Sequence, residues 1–206
     1  MLIEKVMVLG NSITAHAPKA DIGWLDNWGM AASSMEKDFA HLLLDAVACR
    51  NQGRRAEAVI KNIAAFEREY STYDIKVALS AYADFKPDIV VLAIGENIPP
   101  PDTPGKMEAL KSALAILLAI LEENGHPALF IRSCFYADPV KDGILREMAD
   151  RFNATFVDIS ALCRDENNFA RSERSFENRF VAAHPGDRGM AAIASAIWEQ
   201  INKTLN

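Results

Sequence analysis

The chain has 206 residues, half of them hydrophobic and 24% charged, with 28 acidic against 22 basic side chains and a net charge of −6. That length suits one α/β domain, expected to span residues 1–206, and the composition is neither that of a disordered chain nor of a membrane protein. The acidic balance, with no basic stripe interleaved with aromatics, excludes a nucleic-acid partner.

Lys5 to Leu9 is a Val-rich apolar run that predicts the first strand, and further runs predict strands at Glu57 to Ile63, Asp88 to Ile94, Ala128 to Ile131 and Ala154 to Ile159. Several are continuous rather than alternating, as burial on both faces requires. Helical spacing lies between them. Ser33 and Glu36 form a capping-box pattern ahead of Phe39, Leu42, Leu43 and Val47. A segment from near Ser71 carries Ile75, Leu79 and Tyr82 toward a stop at Pro87, and Thr103-Pro104 opens a helix striped by Leu110, Leu114, Leu117 and Leu121 that ends at Asn124-Gly125. Ile144, Leu145, Met148 and Phe152 mark another helix, and Met190, Ile193, Ile197 and Ile201 mark the last, from about Asp187. Alternation of strand and helix predicts a three-layer α/β/α sandwich on a five-stranded, mostly parallel sheet.

Three stretches, Thr14 to Ala32, Ile98 to Thr103 and Leu162 to Ala183, fit no element and follow the carboxyl ends of strands, where binding loops belong. The longest apolar run, Ala113 to Leu121, is far short of the roughly 20 residues of a membrane span, so no span is expected. The first strand begins too early for a signal peptide, which leaves a cytoplasmic protein, or a secreted or periplasmic one whose signal has been removed. Cys49, Cys134 and Cys163 form no CxxC pair and read as core thiols; no metal or cofactor is implied.

Chemistry is concentrated in three motifs. Gly10-Asn11-Ser12-Ile13-Thr14 places a serine just past the first strand, Gly95-Glu96-Asn97 follows the third, and His184-Pro185-Gly186-Asp187 opens the final helix. A serine hydroxyl needs a base to take its proton, and the acyl oxyanion it creates needs donors already in place. Ser12 as nucleophile, His184 as base, and the Ser12 N–H with the Asn97 amide as oxyanion donors supply those parts. Trp24 and Trp28 are candidates for an aromatic wall against a sugar ring or acyl group.

In their residues, order and spacing these three motifs resemble blocks I, III and V of the SGNH (GDSL-type) hydrolase superfamily. The resemblance spans nearly the whole chain and implies a flavodoxin-like fold, ester hydrolysis without a metal, Ser12 as nucleophile, Asn97 as oxyanion donor, Gly95 as its block partner and His184 as base. Departures from the family pattern are specific. Block I usually has aspartate where Asn11 stands, and block V usually has an aspartate three residues before its histidine, where this chain has Val181. The partner of His184 is then a backbone carbonyl or a carboxylate from elsewhere, with Glu177, Glu67, Asp165 and Glu96 as the candidates. Block II falls at Asn62-Ile63-Ala64-Ala65-Phe66-Glu67, where Glu67 stands near the expected glycine. Ala64 and Gly29 are the candidates for a further backbone oxyanion donor.

These features together predict a serine esterase for short acyl groups on carbohydrate, acting on a small-molecule or saccharide ester, with no oligomeric state implied. Lysophospholipase or thioesterase action is the nearest alternative, and a carbohydrate-binding domain that has lost its acid is another. A flavodoxin-like nucleotide or response-regulator domain is disfavoured, because the first loop holds neither a glycine run nor an acidic pair.

Overall fold

The computed structural model of the chain describes residues 2–205. Strands β1 (Lys5–Gly10), β2 (Glu57–Asn62), β3 (Ile89–Ala93), β4 (Ala128–Arg132) and β5 (Thr155–Val157) pair in parallel in the order β2-β1-β3-β4-β5. This is the flavodoxin-like order, in which the chain winds one way from β1 and the other way beyond it. Side chains alternate across the sheet. Val6 and Val8 with Ile89 and Val91 point to one face, where α1 (Phe39–Arg50) and α7 (Asp187–Thr204) cover them. Met7 and Leu9 with Val90 and Leu92 point to the other, beneath α2 (Ala64–Glu69), α3 (Ile75–Leu79), α4 (Pro104–Glu123) and α5 (Pro139–Arg151). Three 3₁₀ turns (Leu162–Arg164, Glu166–Asn168 and Ala170–Ser172) and one short helix, α6 (Arg179–Ala182), lie in the long connection from β5 to α7.

The central strands are apolar on both faces because each face is buried, which is why the sequence shows runs there rather than alternation. The α4 stripe of Leu110, Leu114, Leu117 and Leu121 is buried against the sheet, where truncating one such leucine to alanine costs about 2–5 kcal/mol. The Thr103 side chain accepts from Lys106 N, Pro104 occupies the first turn, and Gly125, at φ +93°, follows the end.

Local boundaries differ from the sequence expectation in four places. Ser33 and Glu36 do not cap α1: a 3₁₀ turn, Met35–Lys37, intervenes, and the Asp38 side chain accepts from His41 N instead. Residues after β2 turn at once into α2, and the single helix expected from Ser71 is the short α3 continued by a 3₁₀ turn, Ser80–Tyr82. β5 is three residues long rather than six. Of the cysteines only Cys134 is buried; Cys49 is exposed and Cys163 half-buried.

Candidate active site

In a sheet of this order, the crevice lies at the carboxyl ends of β1 and β3, where the direction of winding reverses. Gly10 and Ala93 are register partners there, so the loops that follow them run side by side. The first carries Asn11 and Ser12 and the second Glu96 and Asn97. Gly95, at φ +132°, makes the turn between β3 and Glu96, and a Cβ there would collide with Cys134 Sγ. Only glycine satisfies both constraints.

The long connection before α7 brings in the histidine. Asn178 caps α6 by accepting from Phe180 N and Val181 N, and the chain leaves α6 directly into His184. Two contacts pin its backbone: Ala170 N–H donates to the His184 carbonyl at 2.9 Å, and the Tyr136 hydroxyl donates to the Ala183 carbonyl at 2.6 Å. Burial, followed by the Glu96 charge, pushes the Tyr136 pKa up to about 12, which keeps the phenol a donor. His184 Nε2 then stands 2.8 Å from Ser12 Oγ, although 172 positions separate the two residues. On its other side Nδ1 is 2.8 Å from the Phe180 carbonyl oxygen. A carbonyl only accepts, so Nδ1 carries the hydrogen and Nε2 offers its lone pair to the serine hydroxyl. Burial holds the imidazole pKa below its usual 6.5 against the opposing pull of that carbonyl, and the ring is neutral at pH 7.

None of the four carboxylates serves as the orienting acid of His184. Glu177 is exposed and makes no hydrogen bond among the described residues. Asp165 accepts from Asn167 and pairs with Arg188. Glu67 and Glu96 take their hydrogen bonds from other donors, and neither bonds to the ring. Arg132, buried at the end of β4, donates to both Glu96 oxygens at 2.7 and 3.2 Å, and Phe135 N–H adds a third donor at 2.7 Å. Burial alone would raise the Glu96 pKa, but the Arg132 charge and these donors hold it below the ordinary value. Asn11 joins the two acids, its Nδ2 donating to Glu96 Oε2 at 2.6 Å and to Glu67 Oε1 at 3.2 Å. An aspartate at position 11 would set a third negative charge between them. The departure in the first block, Asn11, and the departure in the second, Glu67, are thus in direct contact.

Of the expected oxyanion donors, Ser12 N–H has no acceptor among the described residues, and Asn97 borders the space in front of Ser12. The other two are occupied. Gly29 N–H donates to Asp38 Oδ2 at 3.1 Å, and Ala64 N–H to Asn62 Oδ1 at 2.8 Å. The tryptophans are also corrected: they stack edge to face with centroids 6.0 Å apart, and their indole N–H groups donate to the carbonyls of His16 and Ala32. They brace the first loop from within, because a long connection without a sheet partner needs its own small core.

Two hollows meet at Ser12, Asn97, Phe180 and His184. One, of about 340 Å³, is walled by His16, Lys19, Asn62 and Arg68; the other, of about 300 Å³, by Tyr136, Ala183 and Glu96. A larger hollow of about 550 Å³ lies at the amino ends of β3 and β4, around Asp88 and Ala128, with no serine beside it. Among the described residues no three His, Cys, Asp or Glu side chains gather to hold a metal ion, and no helix is long and apolar enough to cross a membrane. Neither Arg132 nor Tyr136 was expected from the sequence; of the two alternatives behind His184 the structure has the backbone carbonyl, that of Phe180. A charged residue closing the apolar run Ala128–Ile131 was a usable signal for Arg132. A main-chain oxygen leaves none.

No family profile matches the sequence, and no curated protein is detectably similar to it. Solved structures do match. A two-domain esterase (CEX) active on acetylated mannans superimposes with a TM-score of 0.65 at 17% identity, over 97% of this chain and 48% of that one. This chain thus spans about half the length of that relative. An acetyl xylan esterase, AlAXEase, matches with a TM-score of 0.60 at 16% identity over 96% and 99% of the two chains. A protein assigned as an SGNH hydrolase, from Slackia heliotrinireducens, matches at 0.59 and 15% identity over 97% and 99%. The chain has the flavodoxin-like α/β/α fold that SGNH hydrolases share.

Proposed function

We propose that this protein is a serine esterase that removes short acyl groups from carbohydrate. The observation that carries the proposal is the 2.8 Å contact from Ser12 Oγ to His184 Nε2, with Nδ1 held at 2.8 Å by the Phe180 carbonyl. Ser12 Oγ attacks the acyl carbon while Nε2 takes its proton, and the tetrahedral oxyanion is held by Ser12 N–H and Asn97 Nδ2. The imidazolium returns the proton to the departing sugar hydroxyl. Water, deprotonated by the same nitrogen, then releases the acid from Ser12. The Phe180 carbonyl does part of what an aspartate does in a triad: it selects the tautomer and turns the ring, but it adds no negative charge to stabilise the imidazolium.

His16, Lys19, Asn62 and Arg68, set beside apolar Ile22, Met30 and Phe180, offer polar partners for a hydroxyl-rich alcohol, and hollows of about 300 to 340 Å³ support a small acyl group. The fold shared with an esterase active on acetylated mannans and with an acetyl xylan esterase points the same way. The test is release of 4-nitrophenol from its acetate and octanoate esters, and of acetate from acetylated oligosaccharides, by wild type, Ser12→Ala and His184→Ala. The expected result is turnover of the acetate ester and of the sugar esters, little of the octanoate, and losses of about 10³-fold or more in kcat for both variants. Equal rates for all three proteins overturn the reading.

A further inference from the structure

Glu67 is fully buried beside the serine loop, yet it takes no part in the proton path between Ser12 and His184. Every group at hydrogen-bond distance from it is a donor. Gly95 N–H at 2.6 Å, Asn11 Nδ2 at 3.2 Å and Asn97 N–H at 3.3 Å reach Oε1, and Asn97 Nδ2 reaches Oε2 at 2.9 Å. The charged groups acting on it are Glu96, in the loop after β3, and Arg132, at the end of β4, which are paired with each other.

An asparagine amide has two orientations, related by exchange of Oδ1 and Nδ2, and its partners choose between them. A carboxylate only accepts. Ionised Glu67 therefore draws Nδ2 of Asn97 toward itself, leaving the second hydrogen of that nitrogen for the hollow that Asn97 borders. We propose that Glu67 is a positioning residue for the esterase: its carboxylate locks the Asn97 amide so that a donor, and not Oδ1, faces the oxyanion. A proton on Oε2 reverses the choice, since a carboxylic O–H seeks Oδ1 and turns an acceptor toward developing negative charge. Burial and the Glu96 charge raise the Glu67 pKa above 4.5 against the pull of its donors, so this switch falls on the acid side of the activity profile. The inference rests on the Ser12–His184 reading.

Glu67→Gln tests it, because the amide keeps an oxygen for the three donors at Oε1 and sets an NH₂ group against Asn97. The expected result is a fall in kcat of about 10²–10³-fold, the cost of an oxyanion donor, with KM nearly unchanged. Asn97→Ala is expected to lose as much, and the double variant no more than Asn97→Ala alone, because the two residues act as one unit. In wild type the acid limb of kcat/KM carries two protonations, Glu67 and His184; in the variant it carries one. Wild-type kcat in Glu67→Gln, or losses that multiply in the double variant, overturn the proposal. A second measurement needs neither activity nor the Glu67 variant. In ¹⁵N-labelled wild type, the Asn97 side-chain NH₂ signal, identified by its absence in Asn97→Ala, is expected to shift in one step as Glu67 titrates. A signal indifferent to pH overturns the proposal. If wild type shows no Ser12-dependent turnover, it is the esterase reading that fails, and the titration still decides whether Glu67 orients Asn97.

Discussion

The carbonyl oxygen of Phe180 accepts the Nδ1 hydrogen of His184 at 2.8 Å, from one turn upstream on the same short segment. The group that orients the imidazole is thus main chain, set by the α6 turn rather than by any side chain. Val181, where the resemblance expects an acid, packs instead with Trp24, Met30, Ala31 and Ala170 in a small apolar cluster beneath the loop.

Restoring the family acid at that position is therefore expected to do harm. Val181→Asp buries an unpaired carboxylate in an apolar cluster, at a cost of several kcal/mol, and the acid finds no free N–H at Nδ1 while the carbonyl accepts that hydrogen. The expected outcome is a Tm well below wild type and a kcat no higher, read by thermal unfolding and by 4-nitrophenyl acetate turnover.

A histidine acts as a base only when neutral, and burial holds the His184 pKa below 6.5. Its contribution to kcat/KM is expected to rise with pH through that folded pKa, giving an acid limb with its midpoint below 6.5 and a plateau above about pH 7. Stability has the same sign. An unfolded histidine takes a proton near pH 6.5 and the folded one resists, so the unfolded chain binds more protons and stability falls as pH drops from about 6.5 to the folded pKa. Urea unfolding of wild type and His184→Gln at pH 7.5 and 5.5 isolates this group: wild type is expected to lose more stability than the variant.

The buried acids are matched by Arg132 and Asn11, and removing either match leaves charge without a partner. Arg132→Met is expected to cost about 3–5 kcal/mol, the usual consequence of stripping one side from a buried ion pair. Asn11→Asp is expected to destabilise more than Asn11→Ala, because it both removes two donors and adds a third negative charge beside Glu67 and Glu96. Denaturant midpoints at pH 7.5 check both. Lowering the pH toward 5 is expected to narrow the gap between Asn11→Asp and Asn11→Ala as a carboxyl in the cluster takes a proton.

Gly95→Ala combines a backbone at φ +132° with a Cβ driven into Cys134 Sγ. The expected loss is at least about 2 kcal/mol. Activity is expected to fall with it, since the displaced Gly95 N–H is one of the donors holding Glu67.

Much of this architecture was legible in the chain. The runs at Lys5–Leu9 and Asp88–Ile94 mark central strands because burial on two faces demands apolar residues in succession, and the α4 leucines mark a helix because only one stripe meets the sheet. Serine, asparagine and histidine after predicted strands marked the edge at which Ser12, Asn97 and His184 border the same hollows, since parallel strands deliver their carboxyl ends there. The elements of the long loops were not legible. The 3₁₀ turns and α6 between β5 and α7 answer to capping contacts such as Asn178 on Phe180 N, and to docking on distant segments, which leave no period to read.

What the amino-acid order determined by itself was which segments are strands and helices and which three motifs gather at one edge, because periodicity and turn chemistry are local properties. What only the tertiary structure decided was the partner of each polar atom there: a carbonyl behind His184, Asp38 and Asn62 on the two backbone donors, and Glu67 beneath Asn97. The Glu67 pairings reach Asn11 in the serine loop and Gly95 and Asn97 in the loop after β3, residues 28 to 56 positions away. Each is settled by which donor and acceptor burial forces together, and no local pattern in the chain records that choice.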